Sequence, residues 1–505
     1  ERHEPPALGP HPKPMPSTTC TPPQQATPPP SVVVRACPWP AIVAEFRKQR
    51  GIALPLAAMN LAWFAKTAVT TMFLGRLGEL QLAGGTLGFT FANVTGFSVL
   101  NGLCGAMEPI CGQAHGAGNY RLLHKTLLMA TALLLAVAAP ISLLWLNVDK
   151  ILVGVGQQRD IARLAKAYVT YLLPDLAVTS LLCPLKAYLS SQGVTLPILF
   201  SSAMALAFHV PLNMVLSKAW GIEGVSTAVW LTDLTVVVML AGYVVVTERR
   251  RQGKVPWGFD QRRREWLQLL RLSGPCCLTT CLEWWCYEIL VLLAGRLPDA
   301  RRVVAVLAVV LNFDYLLFAV MLSLATCAST RVSNALGAGE ASASRRSAYV
   351  SLGLSLVAGC MGGSAMAGAR GGWGRLFSRD FGVVDGVRKA MVVMALVEVV
   401  NFPLVVCGGI VRGTARPWLG MYASLGGFYL VALPLGSALA FKAGLGLRGL
   451  LLGFLVGAST SAAVLLLLVS RIDWVNEARK AQDLVGATST GVEDGHDEVA
   501  EENKV

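Results

Sequence analysis

Three carboxylates in apolar stretches of the chain could bind and release a proton or a sodium ion. Glu283 and Glu288 lie in one such stretch, and Glu398 lies in another, five residues before Pro403. A charge at the centre of a bilayer costs roughly 2.5–3.5 kcal/mol, so acids in such stretches usually face the protein interior and have a function. Burial favours the neutral form of a carboxyl group, which suits reversible protonation. We therefore predict that Glu283, Glu398 and Glu288 couple the protein to an ion gradient.

Side chains near these acids could hold an organic molecule, because aromatic rings offer flat surfaces to aromatic or cationic ligands. Five residues of helix correspond to about 500°, so Glu283 and Glu288 should point roughly 140° apart and not face one spot. Glu398 has an amide one turn further along its helix. The predicted substrate-binding residues are Trp284, Trp285, Tyr287 and Asn401.

Membrane-spanning helices must position these residues. The chain is 54% hydrophobic and 14% charged, whereas soluble proteins carry about 25% charged residues. Runs such as 127–146 and 450–470 are apolar all round and approach the roughly 20 residues needed to cross a bilayer. Inside lipid every backbone group must be hydrogen-bonded within the segment, which requires helices. We predict twelve spans, at 51–74, 82–106, 122–146, 163–190, 196–217, 223–247, 267–295, 303–328, 345–368, 389–411, 418–441 and 446–470.

The two halves of the chain repeat at an offset of 220 residues. Six spans per half is an even number, so the halves have the same topology and a pseudo-two-fold axis along the membrane normal. This architecture predicts an all-α membrane protein with two six-helix lobes, a central cleft and alternating access by rocking of the lobes. The matching residues include Glu45 with Glu265, Pro55 with Pro275, Gly75 with Gly295, Gly193 with Gly413 and Pro197 with Pro417.

The polar ends of the chain flank this membrane core. An even number of spans places both tails on one side, and a modest excess of lysine and arginine in the loops of that side predicts the cytosol. The predicted organisation is a proline-rich disordered tail at 1–44, an N-terminal lobe at 45–247, a basic linker at 248–264, a C-terminal lobe at 265–470 and an acidic disordered tail at 471–505.

Several function classes are disfavoured by the sequence. The chain has no G-x-x-x-x-G-K-[ST] loop, so uphill transport would use an ion gradient, and we expect no cofactor. The net charge of +13 comes from basic residues clustered in short loops, as expected beside lipid headgroups. No nucleic-acid motif accompanies them, so no nucleic-acid partner is expected. The cysteines form no metal-binding pattern, and no catalytic constellation predicts an enzyme.

Two further acids favour a gating or structural role. Glu108 lies near the cytosolic end of the second span, where a salt bridge between the lobes is expected. Asp175 follows Pro174 near one end of the fourth span, where a helix-terminal structural role is as plausible as a functional one. Lys66, in the first span, could pair with a carboxylate or line the cleft.

Four motifs of the chain are distinctive. They are Met-Glu-Pro-Ile-Cys-Gly-Gln-Ala at 107–114, Ser-Thr-Arg-Val-Ser-Asn-Ala-Leu-Gly-Ala at 329–338, Val-Arg-Gly-Thr-Ala-Arg-Pro at 411–417 and Glu-Trp-Trp at 283–285. These motifs resemble the multidrug and toxic compound extrusion (MATE) family, in particular the plant DETOXIFICATION proteins, and the resemblance covers about 45–470. It implies a proton-coupled antiporter for organic compounds, with coupling acids at Glu283 and Glu398, a further functional acid at Glu288 and a gating or structural role for Arg331. It also implies a plasma-membrane, vacuolar, late-endosomal or Golgi location, and we expect a monomer.

The sequence also departs from the family pattern. His115 stands where an aromatic residue is usual, Ala335 replaces a common acid, and Asp314 stands where a small polar residue is expected. These differences leave the fold unchanged but bear on the substrate. Two alternatives to an antiporter therefore remain: a transport-inactive scaffold or receptor in endomembranes, and a lipid flippase of related architecture.

Overall fold

The computed structural model describes residues 39–251 and 263–486, and within these ranges no strand is present. The apolar runs form helices because only a helix satisfies all backbone groups within one segment. Short π-helical turns at Asn93–Phe97, Leu425–Ala432 and Ala438–Lys442 connect several of them. The α-helices are α1 (Trp39–Leu77), α2 (Glu79–Ala92), α3 (Ser98–Cys104), α4 (Met107–Gly116), α5 (Tyr120–Leu146), α6 (Val148–Gly154), α7 (Arg159–Ser191), α8 (Leu196–Arg251), α9 (Arg263–Ala294), α10 (Ala300–Gly337), α11 (Ala341–Ala369), α12 (Trp373–Phe377), α13 (Phe381–Gly413), α14 (Pro417–Ser424), α15 (Leu433–Ser437), α16 (Leu447–Ser470) and α17 (Trp474–Gly486).

Twelve spans can be traced through the described residues. Eleven helical stretches are long and apolar enough to cross a membrane. One of them, α8, has 56 residues and changes direction at Gly221, whose φ of 59° and ψ of −129° suit glycine. This break divides α8 into two spans, 196–220 and 222–251. The prediction of an all-α membrane protein with twelve spans is therefore confirmed.

Each lobe has its own hydrophobic core, and the first helix of each lobe reaches into the other. Trp145 is buried in the N-terminal core and Phe454 in the C-terminal core. Leu56 of α1 packs against Cys327 of α10 in the C-terminal lobe. In the same way Leu272 of α9 belongs to the N-terminal core. The two halves therefore exchange equivalent segments, as an internal repeat would produce.

The tail boundaries differ from the prediction. Helix α1 begins at Trp39, so 39–44 is helical, because a proline in the first turn lacks only an N–H that the helix would leave unpaired. In the predicted acidic tail, α17 is a helix whose buried residues recur at i, i+3, i+4, i+7 and i+11. This spacing is the period of a helix with one buried face. In the sequence, the charged residues of the other face make this period difficult to recognise. The other parts of both tails, and 252–262 of the linker, lie outside the described residues.

Helix α17 lies against both lobes on one side of the bundle, which we call the tail side. Trp474 and Ala478 belong to the C-terminal core, whereas Val485 belongs to the N-terminal core. Asn119 of the N-terminal lobe donates a hydrogen bond to the carbonyl oxygen of Val485 at 3.4 Å. The helix thus connects the lobes on the tail side.

Candidate functional site

Helices α9, α10 and α13 enclose a pocket within the C-terminal lobe. Its cavity of about 40 Å³ has room for only a few water molecules. Binding of an organic molecule would therefore require its walls to move apart. The lining combines acids, aromatic rings and an amide: Glu283, Trp284, Tyr287, Glu288, Asp314, Tyr315, Phe318, Met321, Asn401, Leu404, Val405 and Phe428.

Glu283 and Glu288 both line this pocket, although their side chains were expected to point roughly 140° apart. The pocket follows α10 from 314 to 321, roughly 10 Å along the helix, and meets side chains that leave α9 in different directions. Glu283 Oε1 accepts a hydrogen bond from Ser424 Oγ at 3.5 Å. The guanidinium of Arg412 also acts electrostatically on this carboxylate.

Glu398 lies behind the pocket wall. It is 0% exposed, and neither of its carboxyl oxygens accepts a hydrogen bond from a described donor. Its neighbour one turn on, Asn401, does line the pocket and donates a hydrogen bond to Tyr287 Oη at 3.4 Å. The structure therefore brings Glu398 close to the predicted pocket residues without placing it on the pocket surface.

Aromatic rings form one wall. The Trp284 ring stacks on Tyr315 with centroids 6.5 Å apart and meets Phe318 edge to face at 5.6 Å. Trp285, also predicted to bind substrate, does not line this pocket and is 37% exposed. The reason is helical geometry, because each residue is rotated by about 100° from the previous one.

Two predicted gating residues form ion pairs that join the lobes on the tail side. Arg412 Nε of α13 lies 2.7 Å from Glu108 Oε2 of α4. Arg331 of α10 forms a bidentate pair with Glu45 of α1, with both N–O distances 2.8 Å. Both pairs lie between the lobes, where residues with a gating or structural role were predicted.

No role had been predicted from the sequence for Glu45 or for its repeat partner Glu265. Glu45 is 3% exposed and also accepts a hydrogen bond from Ser347 Oγ at 2.8 Å. Glu265 of α9 reaches the other lobe and lies 3.4 Å from Lys125 Nζ. The match between these two glutamates at an offset of 220 residues was the signal in the sequence.

Asp175 lies in the N-terminal lobe, away from the pocket. The placement near a helix end is wrong, because α7 continues through Pro174 and Asp175 is 16 residues from each end. It is 2% exposed, and its Oδ1 has no hydrogen-bond partner in the described part of the chain. Nearby, Lys66 Nζ lies 2.7 Å from both carboxyl oxygens of Asp233, which confirms that Lys66 pairs with a carboxylate.

Comparison with protein families matches two copies of one family model to the chain. The MatE model matches residues 55–215 and 275–437. The two matches begin 220 residues apart (275 minus 55), which is the offset of the internal repeat. Each match covers most of one lobe.

Similar proteins and a solved structure indicate the same family. Protein DETOXIFICATION 56 of Arabidopsis thaliana is 60% identical over 447 residues, covering 88% of this chain and 91% of that protein. Protein DETOXIFICATION 51 of the same plant is 39% identical, covering 88% and 84%. The crystal structure of the eukaryotic MATE transporter AtDTX14 superposes with a TM-score of 0.82 at 32% identity, covering 88% of this chain and 99% of that one. The chain therefore belongs to the MatE family of membrane transporters, as its motifs had indicated.

Proposed function

We propose that the protein is a proton-coupled antiporter that exports organic solutes from the cytosol by alternating access. The observation that carries this proposal is the pocket in the C-terminal lobe, where Glu283, Glu288 and Asp314 line one cavity together with aromatic rings. Ionised acids attract a cationic or polar organic molecule, and aromatic faces bind its flat or cationic parts.

Protonation provides the coupling. Protons entering from the outside or from an organelle lumen bind Glu283 and Glu398, with Glu288 as a further acid. Each proton removes a negative charge, which weakens the attraction for a bound cation and favours its release. The ion pairs Glu45–Arg331 and Glu108–Arg412 hold the tail side closed in the state described. Opening towards the cytosol would require both pairs to separate.

Flux measurements on the purified protein in liposomes test this mechanism. With an imposed pH gradient, we expect efflux of the fluorescent cation ethidium from wild-type vesicles and loss of gradient-driven efflux in Glu283→Gln. Glu79→Gln is the matched control, because Glu79 is exposed and lies outside the pocket. Gradient-driven flux that persists in Glu283→Gln contradicts the proposed coupling.

Two further measurements distinguish the proposed proton antiport from the alternatives. A sodium gradient in place of the pH gradient tests coupling to sodium, since carboxylates bind either ion. Transport of a labelled lipid without any gradient would favour a flippase, although acids in the pocket do not suit the anionic headgroups that a basic groove would bind. A scaffold would show no flux with any substrate and would lose its partners when the tails are deleted.

A further inference from the structure

Asp314 of α10 and Glu398 of α13 contact each other through their side chains, although they are 84 residues apart in the chain (398 minus 314). Asp314 is 2% exposed and Glu398 is 0% exposed. Three of their oxygens have no hydrogen-bond donor among the described residues: Asp314 Oδ1 and both oxygens of Glu398. Two buried acids thus meet without any described donor to satisfy them.

No positive charge compensates this pair. Among the described residues, neither Asp314 nor Glu398 forms an ion pair with a lysine, arginine or histidine. From α9, the hydroxyl of Tyr287 faces both acids, and Glu283 and Glu288 line the same pocket as Asp314. On α10 itself, Tyr315 lies beside Asp314 and lines that pocket. Helix α11 brings Gly359 against the backbone of Glu398, and α16 carries no ionisable side chain over 449–470.

An ionised carboxylate can only accept hydrogen bonds, so two ionised acids cannot hydrogen-bond to each other. Their mutual repulsion in a buried site would also oppose the contact. A single proton between them resolves both problems, because the protonated acid then donates a hydrogen bond to the ionised one. Pairs of carboxyl groups in such contact bind protons as a unit.

The two acids differ in their access to the pocket. Asp314 lines it, whereas Glu398 is fully enclosed behind it. A proton that enters the pocket can therefore reach Glu398 through Asp314. We propose that Asp314 and Glu398 hold one proton between them, and that Asp314 passes protons between the pocket and Glu398. This inference rests on the proposed proton coupling, to which it adds Asp314 as a further proton-binding residue.

A titration of the intact protein in membranes tests the pair without relying on transport. The absorbance of protonated carboxyl groups is followed by pH-difference infrared spectroscopy in wild type, Asp314→Asn, Glu398→Gln and the double variant. We expect two coupled steps in the wild type, one step in each single variant and neither step in the double variant. If the wild-type titration equals the sum of the two single-variant titrations, the two acids bind protons independently, and the shared proton is ruled out.

The matched control is Asp175→Asn, since Asp175 is also 2% exposed and its Oδ1 also has no partner. This variant should lose only its own signal and leave both steps of the pair in place. Thermal unfolding of each variant shows whether it is folded. If Asp314→Asn does not fold, Asp314→Glu replaces it: this variant keeps an acid and should retain two coupled steps, whereas two independent steps would overturn the pair.

Ethidium flux then tests the role of the pair. Asp314→Asn and Glu398→Gln should each lower gradient-driven flux by roughly tenfold or more, and the double variant should be no worse than the more severe single variant. Ethidium exchange at equal pH should change little. If the flux losses of the two single variants multiply in the double variant, the relay is ruled out. It is also ruled out if ethidium exchange at equal pH falls as much as gradient-driven flux. If wild type shows no gradient-driven flux, the proposed function fails, and the infrared titration still decides the pair.

Discussion

Replacing Arg331 with methionine tests whether the Glu45–Arg331 pair holds the lobes together on the tail side. Arg331 belongs to the C-terminal lobe and Glu45 to the N-terminal lobe, and their bidentate contact has both N–O distances at 2.8 Å. Opening of the tail side must separate α1 from α10, so the pair contributes only to the closed state. Methionine keeps the length and apolar stem of arginine but removes its charge.

The expected effect follows from burial. The Glu45 side chain is 4% exposed and that of Arg331 is 19% exposed. Removing one partner of a buried pair costs about 3–5 kcal/mol, whereas an exposed pair contributes at most about 1 kcal/mol. Ser347 and Gln49 still donate hydrogen bonds to Glu45 in the variant. We therefore expect a loss of about 2–3 kcal/mol from the closed state, which is a roughly 30- to 150-fold increase in the open fraction.

A cysteine at position 190 reports this opening. Ser190 is 5% exposed, and its carbonyl oxygen accepts a hydrogen bond from Thr330 of the other lobe at 3.3 Å. In Ser190→Cys, a membrane-impermeant maleimide added on the tail side labels the thiol only when the lobes separate. The labelling rate should increase roughly 30- to 150-fold when Arg331→Met is added, because the rate follows the open fraction.

Asp385→Asn is the control for this experiment. Asp385 pairs with Lys389 on the same exposed surface of α13, far from the lobe contact in sequence, so its loss should leave the labelling rate unchanged. A rate in Arg331→Met within about twofold of the parent would refute the reasoning, since even a 1 kcal/mol contribution changes an equilibrium by about fivefold. An equal rise in Asp385→Asn would show that labelling reports general loosening.

Two further changes have expected outcomes. Gly116→Ala adds a methyl that would collide with the carbonyl oxygen of Asn334 in the other lobe, so it should increase the labelling rate of Ser190→Cys. Gly154→Ala, with open space around it, should leave that rate unchanged. Outside the spans, a hydrogen bond from Lys166 Nζ holds the pKa of Asp149 below its usual value. The resulting stability is present above the unfolded pKa of about 3.9 and is lost as pH falls through the folded pKa. Lys166→Met should therefore lower Tm by at most about 2 °C at pH 7 and leave it unchanged near pH 2; an equal loss at both pH values would contradict this.

The pocket shows which parts of a site can be predicted from one chain. Glu283 and Glu288 were recognised because an acid in an apolar helix is costly in lipid and usually faces the protein interior. Tyr287 was recognised because its ring offers a flat surface to an organic ligand. Trp285 does not line the pocket, since the direction of a side chain depends on which face of α9 meets the other helices. Asp314 was not assigned a site role from the sequence, because its partner Glu398 is on another helix.

The amino-acid sequence alone is sufficient to predict that this is a helical membrane protein with two similar lobes. Apolar runs of about 20 residues can exist in lipid only as helices, and the 220-residue repeat requires two similar lobes. These conclusions depend on local composition and spacing, which the sequence states directly. The contacts Glu45–Arg331 and Asp314–Glu398 join residues 286 and 84 positions apart (331 minus 45 and 398 minus 314). Such contacts depend on how helices pack and rotate against one another, and only the tertiary structure specifies that packing.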